Sequence, residues 1–140
     1  MRKTGHLPRG LRNRNPLNIR RTNQLWQGLD EVQTDREFFR FRTMAWGYRA
    51  AFVVIRTYVL RRGVNTLVGV VKRWAPDADG NDSDLYLARV MVLTGMDRET
   101  RIDPYDAEQM VPLVAAMSRV ENGRPAVLAE VLAGWALYAG

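Results

Sequence analysis

A chain of 140 residues with 46% apolar residues and four tryptophans suits one domain with an ordinary core, and no apolar run approaches the roughly 18–20 residues of a membrane span. With no cysteine and a single histidine, His6, disulfides, thiol nucleophiles, His-dependent zinc hydrolysis and Ser–His or Cys–His catalysis are excluded; no metal or cofactor is expected, and any catalysis runs on carboxylates. The formal net charge of +6 is local, because Arg2, Lys3, Arg9, Arg12, Arg14, Arg20 and Arg21 precede the first acidic residue while the rest of the chain is nearly balanced.

Residues 1–16 are rich in Arg, Asn, Gly and Pro and read as an extended arm or loop, with 1–14 forming a flexible basic arm. No apolar h-region follows Arg2 and Lys3, so no secretory signal is expected. From Asn18 to Arg42 the pattern alternates in patches, and Glu37-Phe38-Phe39-Arg40-Phe41-Arg42 is the best strand. A small β-hairpin follows from this, with turn chemistry at Gln27-Gly28 and Thr34-Asp35 and Trp26 near the turn.

About five helices come next. Trp46 to Arg62 carries Ala50, Val53, Val54, Thr57 and Tyr58 at helical spacing and stops at Gly63. Asn65 opens a helix that runs to Trp74 and ends before Pro76; Leu85 to Thr94 stops at Gly95. Asp103-Pro104 with Asp106 starts the next helix, which Pro112 either kinks or divides into 104–110 and 112–122. A last helix starts near Pro125 and turns Val127, Leu128, Val131, Leu132 and Trp135 inward. Trp46, Trp74 and Trp135, with Met44, Met91 and Met117, read as core. The expected class is therefore α+β, mainly α: a small N-terminal hairpin followed by helices in one domain, 1–140.

The residue with most chemical content is Glu121. Counting back by four, seven and eight positions reaches Met117, Val114 and Leu113, so a 3.6-residue period sets this carboxyl on the apolar stripe at the end of its helix. Burial and the negative end of the helix macrodipole both disfavour ionisation there. An uncharged carboxyl is what a glycosidase requires as its general acid. An ion pair of Glu121 with Arg119 or Arg124, or a bond to a backbone amide, is the purely structural alternative.

Several short motifs stand together: Arg14-Asn15-Pro16-Leu17-Asn18-Ile19-Arg20, Trp26-Gln27-Gly28, Phe38-Phe39-Arg40-Phe41, Gly47-Tyr48-Arg49-Ala50 and Ala116-Met117-Ser118-Arg119-Val120-Glu121-Asn122-Gly123. In this order they resemble the peptidoglycan-degrading lysins of phages and prophages and the glucosaminidase branch of the lysozyme-like superfamily. Because the Glu121 helix lies near the far end of the chain, the resemblance implies a circularly permuted lysozyme-like domain, with Glu121 folding back beside the 18–42 hairpin. Relatives carry Asn-Pro-Gly-Asn where this chain has Asn15-Pro16-Leu17-Asn18, and Leu17 suits the left-handed third position of a type II turn poorly.

What the resemblance implies is cleavage of peptidoglycan glycan strands in a groove between hairpin and helices, as a lytic transglycosylase or a muramidase or glucosaminidase. Glu121 is then the general acid and Glu37 the preferred second carboxylate among Asp30, Glu31, Asp35 and Glu37, with Asn15, Asn18, Trp26, Gln27 and Tyr48 as substrate-binding candidates. The implied protein is a monomer made in the bacterial cytoplasm and delivered to the wall by a virion, a holin or a secretion machine. The competing class is a non-catalytic virion or nucleic-acid-binding module that grips phosphates through its Arg-rich arm.

Overall fold

The computed structural model describes residues 6–140; Arg2 and Lys3 of the expected arm lie outside the described residues. Far from trailing as an arm, the next residues form a one-turn helix, α1 (Arg9–Arg12), in which Gly10 is buried, followed by buried Asn13, Asn15, Pro16 and Leu17. The expected α+β class is corrected: among the described residues all regular structure is helical, and the 18–42 segment forms only isolated bridges, Arg20 with Phe38 and Leu29 with Phe41.

The backbone pairing of residues 37–42 explains the missing hairpin. The alternation is real, since Phe39 and Phe41 are buried, but these residues divide their hydrogen bonds among three segments. Phe39 N–H donates to Ile19 and Arg21 N–H to the Glu37 carbonyl, Phe41 N–H donates to Asn13, and Asp30 and Arg42 pair with the Arg40 and Gly28 carbonyls. Side chains fill the remaining ladder positions. Asn15 Nδ2 donates to the carbonyls of Ile19 (3.0 Å) and Phe39 (2.8 Å), and the Gln33 amide both donates to and accepts from the Arg40 backbone at 2.8 Å. No two segments run side by side long enough to make a strand.

Asp35 anchors the same segment. Its carboxylate accepts a forked pair from Arg9 (2.6 and 2.7 Å), a bond from Asn13 Nδ2 and the backbone amides of Glu37 and Phe38. The Arg9 guanidinium holds this carboxyl well below the usual aspartate range against the opposing effect of burial, with a smaller contribution from the Asn13 amide. A lowered native pKa means that the unfolded chain binds the extra proton first, so the contribution of Asp35 is complete above about pH 5 and is lost as pH falls below about 4. Asp35→Asn is therefore expected to lower Tm at pH 7 and to flatten the fall of Tm between pH 5 and 2, measured by thermal unfolding across pH.

Five longer helices follow: α2 (Met44–Arg62), α3 (Leu67–Trp74), α4 (Ser83–Thr94), α5 (Ala107–Asn122) and α6 (Leu128–Ala139), with a single 3₁₀ turn at Asp77–Asp79. Thr43, Thr66, Asp82 and Asp106 cap α2 to α5 by accepting a first-turn amide, and Gly63 and Gly95 end α2 and α4 in the left-handed region as their positions predict. Thr66 and Asp106, not Asn65 and Asp103, are the caps. Pro112 neither breaks nor divides α5: it and Glu108, whose carbonyl loses its intrahelical donor to the ring, both lie on the exposed face.

The helix α2 is central. Tyr48, Ala51, Phe52 and Ile55 face the main core with Leu67, Val70, Val71, Met110, Leu113, Met117 and Val131, while Ala50 meets a second, smaller cluster with Ile19, Phe39 and Phe41. Burial on both sides is why the single stripe expected from Val53, Val54 and Thr57 does not mark its inner face. Along α6 only Val131 and Gly134 are buried; Val127, Leu128 and Leu132 lie 48–59% exposed, contrary to expectation. No helix among the described residues is long and apolar enough to cross a membrane.

Candidate active site

The end of α5 carries the site. Leu113, Val114 and Met117 are fully buried, and the same stripe brings Glu121, half-buried, to the wall of an open cleft of about 330 Å³. That size falls at the lower end of the roughly 300–1,000 Å³ typical of small-molecule clefts. Three side-chain donors converge on its carboxyl: Asn18 Nδ2 on Oε1 (3.0 Å), and Trp74 Nε1 (3.1 Å) and the Tyr86 hydroxyl (3.0 Å) on Oε2. They come from the N-terminal turn, the end of α3 and the first turns of α4. Burial, and then the neighbouring Glu121 charge, push the Tyr86 phenol well above its usual pKa, so it stays protonated and donates.

Oε2 accepts two of these bonds, whereas Oε1 accepts one and keeps a position for a further partner. Arg20, Phe38, Tyr58, Asp79 and Asn81 also line the cleft, offering a ligand both donors and acceptors.

Asn18 is aimed by the turn before it. The left-handed backbone falls on Asn18 itself (φ 54°) and not on Leu17, which is buried in the main core, so the departure from a Pro-Gly turn is absorbed one residue later by a residue type that tolerates it. Asn122 clips the same turn to α5 by donating to the Pro16 carbonyl at 2.9 Å. Gly10 sits between them: a Cβ there would meet Asn122 Oδ1 at 2.6 Å, the Asn15 carbonyl at 2.9 Å and Asn18 Oδ1 at 3.0 Å. Neither Oδ1 has a hydrogen-bond donor.

The other sequence candidates are dispersed. Asn15 is wholly buried and spends its amide on Ile19 and Phe39. Tyr48 is 1% exposed, its hydroxyl 2.9 Å from Ser118 Oγ. Glu37 is on the surface, 3.0 Å from Arg9 and 4.0 Å from Arg20. Gln27 is exposed, and Trp26 lines a neighbouring cavity. Trp74 and Tyr86, read respectively as core and not singled out at all, are the two residues that join Asn18 on Glu121. A lone inward aromatic with a polar tip gives no periodic sign that the tip serves a carboxylate; the nearest signals are the Ala75-Pro76 break after Trp74 and the Asn81-Asp82 cap before Tyr86.

No family model matches the chain. Over 136 aligned residues it is 35% identical to protein P5 of Pseudoalteromonas phage PM2, a match that covers 93% of this chain and 82% of that protein. The chain belongs to the protein P5 family. Membership corrects the lysin resemblance: no lysozyme-like family is found, and the circular permutation built on that resemblance falls with it. The contact required between the Glu121 helix and the N-terminal segment is nevertheless present, as Asn18 to Glu121 and Asn122 to Pro16.

Proposed function

We propose that this P5-family protein cleaves the glycan strands of peptidoglycan, with Glu121 as the single acid and base. The observation that carries the reading is the Glu121 carboxyl, held by Asn18, Trp74 and Tyr86 at the wall of an open polar cleft with one position on Oε1 unused. Kinship with a phage protein supports the choice of polymer, since a bacterial wall is a barrier that a phage crosses twice.

In this reading the Oε1 proton passes to the glycosidic oxygen as the C1–O bond breaks, and the leaving sugar departs as an alcohol. The 6-hydroxyl of the same muramyl residue then bonds to C1 and returns its proton to Oε1. One carboxylate suffices for this internal transfer. Glu37, remote among Arg9 and Arg20, has no part in it, and Asp79 serves the cleft as a hydrogen-bond acceptor only. The competing nucleic-acid reading has less support, because Arg9, Arg14 and Arg20 are within ion-pair distance of Asp35, Asp30 and Glu37.

Release of dye from labelled insoluble peptidoglycan tests the reading. Wild-type protein and Asp79→Asn are expected to release dye at rates within about threefold of each other, well short of the roughly 10²–10⁴-fold that loss of a general acid costs. No release by wild type beside an active control enzyme contradicts the function, and a loss of about a hundredfold in Asp79→Asn contradicts the one-carboxylate mechanism.

A further inference from the structure

Tyr58 lines two cavities. On one side is the Glu121 cleft; on the other is a cavity of about 670 Å³ bounded by Gln24, Trp26, Arg56, Tyr58 and Arg61 among others. Tyr58 is thus a wall common to both. The lining of the second cavity contains two arginines and no acid, and among the described residues neither Arg56 nor Arg61 has a carboxylate within ion-pair distance. Arg56 instead lies over the Tyr138 ring, 5.2 Å from its centroid. Neighbouring Arg49 is made less basic than usual first by its own burial and then by the Arg56 charge, which marks local positive charge without compensation.

We propose that this second cavity is a subsite for the anionic peptide substituents of the strand being cut, with Arg56 and Arg61 taking their carboxylates and the half-buried Trp26 ring supporting the adjoining sugar. The proposal rests on the glycan-cleavage reading and makes it narrower: the substrate is a peptide-bearing strand, not a neutral polysaccharide. A guanidinium fork matches a carboxylate in two parallel bonds, and Trp offers a broad apolar face with little conformational entropy to lose. The cavity is large enough for a short peptide stem, whereas the Glu121 cleft, at half that volume, suits the sugar at the scissile bond.

The test is sedimentation of full-length Glu121→Gln protein with isolated sacculi, either intact or stripped of their peptides by an amidase. Intact sacculi are expected to bind roughly 3–10-fold more tightly, and adding Arg56→Gln and Arg61→Gln is expected to abolish that preference. Arg61→Gln alone, at an exposed position, is expected to remove part of it even if the double change disturbs folding. Equal binding to both polymers, a preference that survives the arginine changes, no binding to either, or displacement of the protein by duplex DNA as readily as by soluble muropeptides would each overturn the subsite. The unmodified wild type separates this from the parent reading: it is expected to cut both polymers, the intact one at the lower half-saturating concentration. If the unmodified wild type cuts neither polymer, the cleavage reading fails whatever the binding shows.

Discussion

Glu121→Gln is expected to lower glycan cleavage by about 10²–10⁴-fold while the protein remains folded. Glutamine has the same shape and fills the same position at the end of α5, but it carries no transferable acid proton. Its amide also meets the existing donors imperfectly. Oε1 now faces Asn18 Nδ2, and Nε2 in the other position would face both the Trp74 N–H and the Tyr86 hydroxyl. The hydroxyl can rotate to accept, whereas the indole cannot. One mismatched donor in a partly open site costs about 1–2 kcal/mol, a shift in Tm and not an unfolding. Activity and thermal melts measured on one preparation thus separate a chemical role from a structural one: a large loss of rate with a small change in Tm is the expected pair, and an unchanged rate removes Glu121 from the mechanism.

Gly10→Ala is expected to cost the most stability of any conservative change near the cleft, about 1–3 kcal/mol. The added methyl would meet three oxygens at once, two of them on side chains that join the N-terminal turn to α5. Relief requires Asn18 and Asn122 to swing away. Asn18 would then release Glu121 Oε1, and Asn122 would release the Pro16 carbonyl. The same substitution should therefore reduce cleavage by more than its effect on folding accounts for, as shown by urea unfolding beside the rate measured well below the unfolding transition. Full activity with unchanged stability would mean that the turn does not aim Asn18.

The helical part was legible because its signals are local. Gly63, Gly95, Asp106 and the Leu113–Met117 stripe each act within a few residues, and the same short-range logic finds Glu121. What failed depended on partners distant in sequence. The alternation at Phe39 and Phe41 correctly marks two inward residues, but a strand also needs one continuous neighbour, and here Asn13, Ile19, Gly28 and the Asn15 and Gln33 side chains divide that role. The apolar residues at the start of α6 were assigned to a core that only Val131 and Gly134 enter. Trp74 and Tyr86 are packed aromatics by every local measure, and their meeting at one carboxylate is visible only once α3, α4 and α5 are together. Leu17, read as a poor fit to the left-handed third position of the Asn15 turn, is buried in the core, and the positive φ falls on Asn18.

Mass spectrometry of the soluble fragments from purified peptidoglycan tests the central claim most directly. Muropeptides ending in 1,6-anhydromuramic acid are expected from the wild-type protein and none from Glu121→Gln. Fragments released only by peptide or amide-bond scission, with every glycan strand intact, would contradict it.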